Sequence, residues 1–99
     1  MSIRVITVVA VFIAKPGKEA ALREALTALL APTREEPGCL NYDLHVALDN
    51  KGQFLFYENW ISKAHLDTHL ANSHIQSLIP KLDFLCKVTP ELKLYEKIV

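Results

Sequence analysis

The side chains with the greatest chemical capacity stand close together in the chain. Glu58 lies between Tyr57 and Trp60, the only tryptophan, in the run Phe54-Leu55-Phe56-Tyr57-Glu58-Asn59-Trp60. His65, His69 and His74 follow it, and the fourth histidine, His45, sits a few residues after Asn41 and Asp43. An imidazole titrates near neutrality and so can accept a proton from a bound hydroxyl. His45, His69 and His74 are therefore candidate bases. The rings of Trp60 and Phe56 suit an aromatic wall that stacks a ligand and excludes water, and equally suit a core or a subunit interface. Glu58 is harder to place as packing, because an acid among apolar residues is costly unless it is paired. It marks a pocket or a buried polar network, in which it would orient an imidazole or hold a substrate hydroxyl. Asn41 is grouped with His45 as a further ligand contact, and Asp43 is read as solvated.

Other chemistries find little support. His65 and His69 are four apart, a helical spacing that can hold a metal, but Leu66 stands where a zinc-protease motif carries its glutamate. Surface or capping roles suit that pair better, and no metal is expected. Cys39 and Cys86 have no neighbouring activator and form no Cys-x-x-Cys pair. No phosphate loop, nucleophile elbow or dinucleotide fingerprint occurs, which favours small-molecule chemistry without a bound nucleotide.

The chain has 99 residues, with 11 basic and 11 acidic side chains, and 51% of the residues are hydrophobic. That length suits one domain spanning 1–99 with a modest core. The balanced, dispersed charge offers no footprint for nucleic acid or a membrane surface. Two isolated cysteines suit a reduced, cytoplasmic protein. The apolar run Ile3–Ala14 is rich in β-branched residues and leads into Lys15-Pro16-Gly17-Lys18, which reads as a strand rather than a secretion signal.

The elements that must position these side chains follow from periodicity. From Lys18, Leu22, Leu26, Leu29 and Leu30 recur at helical spacing, and the helix is expected to distort or end near Pro32. Leu40, Tyr42, Leu44 and Val46 alternate with Asn41, Asp43, His45 and Ala47, and Asp49-Asn50-Lys51-Gly52 supplies turn chemistry before Phe54–Trp60, which makes a β-hairpin. Ser62 is an N-cap for a helix carrying Leu66 and Leu70, and Asn72-Ser73 re-caps a second helical piece through Ile75, Leu78 and Ile79. Pro80 punctuates that region. Lys87–Val99 reads as a strand, with Pro90 pointing to an edge or a bulge.

The order β-α-β-β-α-β is that of the α+β, ferredoxin-like split unit, with its helices on one face of an antiparallel sheet. The first strand is nevertheless apolar on both sides, with Val5, Val9, Val11 and Ile13 on one and Ile6, Val8, Ala10 and Phe12 on the other. A half-solvated sheet would alternate with polar residues, so a second copy packed face to face is the expected cover.

Three stretches carry a family resemblance: Phe12-Ile-Ala-Lys-Pro-Gly-Lys-Glu19, Glu36-Pro-Gly-Cys-Leu-Asn-Tyr-Asp-Leu-His45, and Tyr57-Glu-Asn-Trp60 followed by His69 and His74. In order and spacing they resemble the antibiotic biosynthesis monooxygenase domain family, closest to small bacterial proteins assigned as quinol monooxygenases. The resemblance implies a dimeric α+β barrel, and members that oxidise hydroquinones or polyphenols with dioxygen without flavin or metal. It maps a cavity-lining tryptophan onto Trp60 and a histidine onto His45, while an asparagine of the polyketide-oxidising members falls at Phe56. The haem-degrading branch has a tryptophan near the position of His69 and an asparagine on the first strand, which Ile3–Ala14 lacks, so that branch does not fit.

Three functions are weighed from these residues. The leading one is a cofactor-independent monooxygenase or oxidase of a small aromatic substrate, with His45, Trp60 and His69 as catalytic candidates and Asn41, Phe56, Glu58 and His74 as binding candidates. The others are a non-catalytic dimeric binding or stress-response module, and an isomerase of a small phosphorylated compound.

Overall fold

The computed structural model describes residues 4–99, so Ile3 of the first apolar run lies outside the described residues. The elements are β1 (Ile6–Ile13), α1 (Glu19–Thr27), α2 (Leu30–Arg34), β2 (Cys39–Ala47), β3 (Asn50–Trp60), α3 (Lys63–Ala71), α4 (Ser73–Leu85) and β4 (Glu91–Glu96). The four strands form one antiparallel sheet in the order β2-β3-β1-β4, the ferredoxin-like arrangement expected from the sequence. The first expected helix is two pieces, α1 and α2, and the second is the expected pair, α3 and α4.

The sheet buries alternate residues against the helices. Ile6, Val8, Ala10 and Phe12 of β1 lie opposite Trp60, Glu58, Phe56 and Phe54 of β3, and all eight are buried. Leu22 and Leu26 of α1, Leu66 of α3 and Leu78 and Leu85 of α4 close the core above them. On the opposite face Val9, Val11 and Leu55 are only half-buried and Tyr57 is exposed. We call these the inner and outer faces.

Several local expectations need correction. The first helix breaks before Pro32, at Ala28 and Leu29, and Pro32 sits inside the first turn of α2, where its missing N–H is no loss. Pro80 does not punctuate: α4 runs through it, because Pro80 and Gln76, whose carbonyl it leaves free, both face solvent. The hairpin turn is Leu48–Asp49, and β3 begins at Asn50, whose side-chain Oδ1 accepts a hydrogen bond from the Gly52 N–H. A bulge at Leu40 breaks the even alternation of β2: Cys39 faces Trp60 across the sheet and Asn41 faces Asn59, so Leu40 is left 56% exposed instead of joining Tyr42 inside. The last strand is shorter than Lys87–Val99 and lies at the sheet edge, directly after Pro90, as the proline requires. Among the described residues no helix is long and apolar enough to cross a membrane.

Candidate active site

The inner face of β3 presents Phe54, Phe56, Glu58 and Trp60 in a row, because every second residue of a strand points the same way. Glu58 is 3% exposed, and its Oε1 accepts a 2.9 Å hydrogen bond from the Trp60 indole N–H two residues on. Burial pushes the Glu58 carboxyl up to about 7, against the opposing effect of that hydrogen bond. Tyr42, on the neighbouring strand, stacks on Phe56 with ring centroids 4.5 Å apart, and burial pushes its hydroxyl well above the usual range. Between this wall and α4 lies a cavity of about 160 Å³, lined by Phe12, Tyr42, Phe56, Glu58, His69, Leu78 and Leu82 among others. The exposed Glu91 and Leu92 of β4 form its outer margin.

His69 projects from α3 onto this wall. It is 2% exposed, its ring lies 4.5 Å from that of Trp60, and its Nδ1 is 2.7 Å from Glu36 Oε2. The same carboxylate oxygen is 2.9 Å from His74 Nε2, and the Asn72 amide donates to Glu36 Oε1 at 3.0 Å. Burial alone would raise the Glu36 carboxyl, but the hydrogen bonds from His69, Asn72 and His74 outweigh it and hold Glu36 below its ordinary value. Burial lowers His69 in spite of the carboxylate beside it. Both directions describe one state at neutral pH, a carboxylate accepting the Nδ1–H of a neutral imidazole. Among the described residues His69 makes its hydrogen bond through Nδ1, and Nε2 has no recorded partner. With the proton on Nδ1, Nε2 is an acceptor on a ring that lines the cavity.

Local sequence explains how three distant residues meet. Gly38 has φ +84°, and a Cβ there would lie 2.4 Å from the His65 ring, so only glycine allows both the turn after Pro37 and the close seating of α3 on it. Ser62 caps α3 by accepting from the His65 N–H, and its hydroxyl lies 2.7 Å from His65 Nδ1. His65 is thus a capping residue, and the metal-type pair His65/His69 is not assembled. In one continuous helix His69 and His74, five apart, would face directions about 140° apart. The break at Asn72 turns the chain so that both rings reach Glu36, while Asn72 Oδ1 accepts from the Ser73 N–H.

The structure therefore joins Phe56, Glu58 and His69 at one cavity, sets the fully buried Trp60 behind it against Glu58 and the His69 ring, and places His74 behind His69, across Glu36. It does not bring Asn41 or His45 there. Asn41 lies on the outer face, bonded to Asn59, Asp43 and the Tyr57 carbonyl. His45 is exposed near the far end of β2, beside a separate groove of about 200 Å³ lined by Arg23, Thr27 and Leu30. Two residues at the centre were not among the candidates: Glu36, and the fully buried Thr33, whose hydroxyl lies 3.1 Å from His74 Nε2. A carboxylate directly before Pro37-Gly38 is a weak hint, and nothing in the spacing ties it to a histidine 33 residues later. Glu36, His69 and His74 also form a set whose ligand atoms all lie within 4.8 Å of one another.

The chain, a split β-α-β-β-α-β sheet with a cavity between sheet and helices, matches the family model of antibiotic biosynthesis monooxygenase over residues 5–81. The chain belongs to that family. A Mycobacterium tuberculosis protein named "Putative monooxygenase Rv0793" is 38% identical over 69 residues, which span 70% of this chain and 67% of that protein. Its solved structure superposes with a TM-score of 0.91, covering 96% of each chain. The crystal structure of PA3566 from Pseudomonas aeruginosa is similar with a TM-score of 0.92 at 31% identity, covering 100% of this chain and 98% of that one. A crystal structure described as an antibiotic biosynthesis monooxygenase matches with a TM-score of 0.88 at 31% identity, covering 95% and 99%. Family membership and the mycobacterial relative support a monooxygenase assignment for this chain.

Proposed function

We propose that the protein oxygenates a small hydroquinone-like substrate with dioxygen, using His69 as the base. The observation that carries this reading is the Glu36–His69 pair at the cavity: a carboxylate fixes the Nδ1–H tautomer and leaves Nε2 to take the proton of a phenolic hydroxyl. The lowered basicity of His69 keeps it neutral and ready. Loss of the proton raises the electron density of the ring, which then passes an electron to dioxygen. Recombination forms a carbon–oxygen bond, and cleavage of the O–O bond leaves one oxygen atom in a hydroxyquinone and the other in water. Hydroquinone and dioxygen give hydroxyquinone and water, so the substrate supplies all four electrons and the balance closes without a further reductant. Glu58, which lines the cavity and whose carboxyl burial pushes up to about 7, would return a proton to the departing hydroxide.

The cavity volume favours one ring. A dry apolar cavity of about 150 Å³ accommodates benzene, and this one measures about 160 Å³. Phe12, Tyr42 and Phe56 would supply its aromatic walls, in place of the more open surroundings that a polycyclic substrate needs. We further propose a homodimer built on the outer face, where Val9, Val11, Leu55 and Tyr57 leave apolar surface open to water, and a reducing, cytoplasmic setting that suits free Cys39 and Cys86.

The test is initial oxygen consumption by the metal-stripped protein over a panel of monocyclic and polycyclic quinols, with autoxidation subtracted. Saturable uptake with a monocyclic quinol, lost in His69→Gln, is the expected result. Quinol binding in calorimetry with no oxygen uptake across the panel would make the protein a binding module instead.

A further inference from the structure

We propose that Glu36, His69 and His74 also form a binding site for a divalent transition metal ion such as Zn²⁺, and that the bound ion switches His69 from proton acceptor to proton donor at the cavity. The second half rests on the proposed role of His69 as base. The first half does not.

The donor set is two imidazole nitrogens and one carboxylate oxygen, all within 4.8 Å of one another. They come from three separate elements: the loop after α2, α3 and the start of α4. With both rings neutral the set carries one negative charge, and it lacks the many hard oxygens that Mg²⁺ and Ca²⁺ prefer. Imidazole with carboxylate suits Zn²⁺, Co²⁺, Ni²⁺ and Cu²⁺, and three protein ligands leave a fourth position for water. Glu36 Oε2 now lies 2.7 Å from His69 Nδ1 and 2.9 Å from His74 Nε2. Ligands on a tetrahedral Zn²⁺ at about 2.0–2.1 Å are about 3.4 Å apart, so each contact must open by roughly half an ångström as the ion replaces the two shared protons. Asn72, donating to the other carboxylate oxygen, holds Glu36 in orientation as an outer-shell partner would. The His74 side chain, 19% exposed against 3% for His69, provides the way in from solvent.

The consequence for His69 is a matter of tautomers. A metal takes a nitrogen lone pair, so an ion on Nδ1 forces the single proton of the neutral ring onto Nε2. Nε2 is the nitrogen with no recorded partner among the described residues. Once it carries the proton it donates to a phenolate and no longer deprotonates a phenol. Metal occupancy and base catalysis thus exclude each other, and the ion acts as a reversible inhibitor.

The experiment titrates metal-stripped protein with Co²⁺, reading its visible absorption, and with Zn²⁺ by calorimetry. We expect one ion per chain, bound at least tenfold more weakly by Glu36→Gln and by His74→Gln, each checked for folding by circular dichroism. The wild-type chain gives a second readout that needs no variant. In the imidazole ¹⁵N spectrum Zn²⁺ should shift His69 Nδ1 and His74 Nε2, place the His69 proton on Nε2, and leave His45 and His65 unmoved. Quinol-dependent oxygen uptake should fall with Zn²⁺ and return with chelator. No saturable binding, or equal affinity in both folded variants, overturns the site. Binding with the His69 proton still on Nδ1 overturns the switch. Stoichiometric binding in a protein with no oxygen uptake supports the site and counts against the oxygenase reading alone.

Discussion

The two faces of the sheet are built from alternate residues of the same strands, yet they do different things. On the inner face Glu58 is shut among Tyr42, Phe56 and Trp60, with a single indole N–H to hold it. On the outer face the polar groups answer one another: Thr7 donates to Asn59, Asn59 to Asn41, Asn41 to Asp43, and Arg34 pairs with Asp43 in an exposed ion pair. Such a half-exposed chain of partners keeps its contact with water, and the ion pair contributes about 1 kcal/mol at most. The inner face lacks that contact. Glu58, Tyr42 and His69 all face the core side, and burial is the largest cause of the shift in each. A reactive acid and base need the face that excludes water, whereas a partner surface needs the one that does not.

The sharpest way to break this contrast is to exchange the histidines. His69→Gln should lower kcat/KM for a quinol by about 10²- to 10⁴-fold, the usual contribution of a general base, while His45→Gln on the outer side should stay within about twofold. Equal losses in both variants would erase the functional difference between the faces. Next in size, Trp60→Ala removes a fully buried ring and should cost about 3–5 kcal/mol in denaturant unfolding. A loss below about 1 kcal/mol would mean that the inner wall is not packed as described.

Glu58→Gln tests desolvation itself. The folded carboxyl, at about 7, lies above its ordinary value of 4.5, so between those values the folded state holds more proton than the unfolded chain. Stability from this group is therefore complete below about pH 4.5 and declines as pH rises to 7, by on the order of 3 kcal/mol. Glu36 and His69, both lowered, act in the opposite sense. The readout is thus the difference between wild type and Glu58→Gln across that window, which should widen in favour of the variant as pH rises. The smallest effect on the fold itself is expected from Val9→Asp on the half-buried outer face, on the order of 1 kcal/mol for a monomer. Its larger effect should be on assembly: sedimentation velocity should show the loss of a dimer, and a variant that still dimerises would move the interface elsewhere.

Much of this was legible in the residues. Period-two alternation put Phe54, Phe56, Glu58 and Trp60 on one side of β3, and short-range capping chemistry at Ser62 and Asn72 gave the two helical pieces that follow. These features depend on neighbours a few positions apart, so the sequence alone determined them, along with the strand order of a split β-α-β-β-α-β unit. Alternation divides a strand into two sets without saying which meets the helices, and one bulge at Leu40 upset it locally. Tertiary structure decided that His45 and Asn41 stand outside and that His69 meets Glu36 across 33 positions. Only the folded chain brings that carboxylate and imidazole together out of water, where each alters the other's proton affinity.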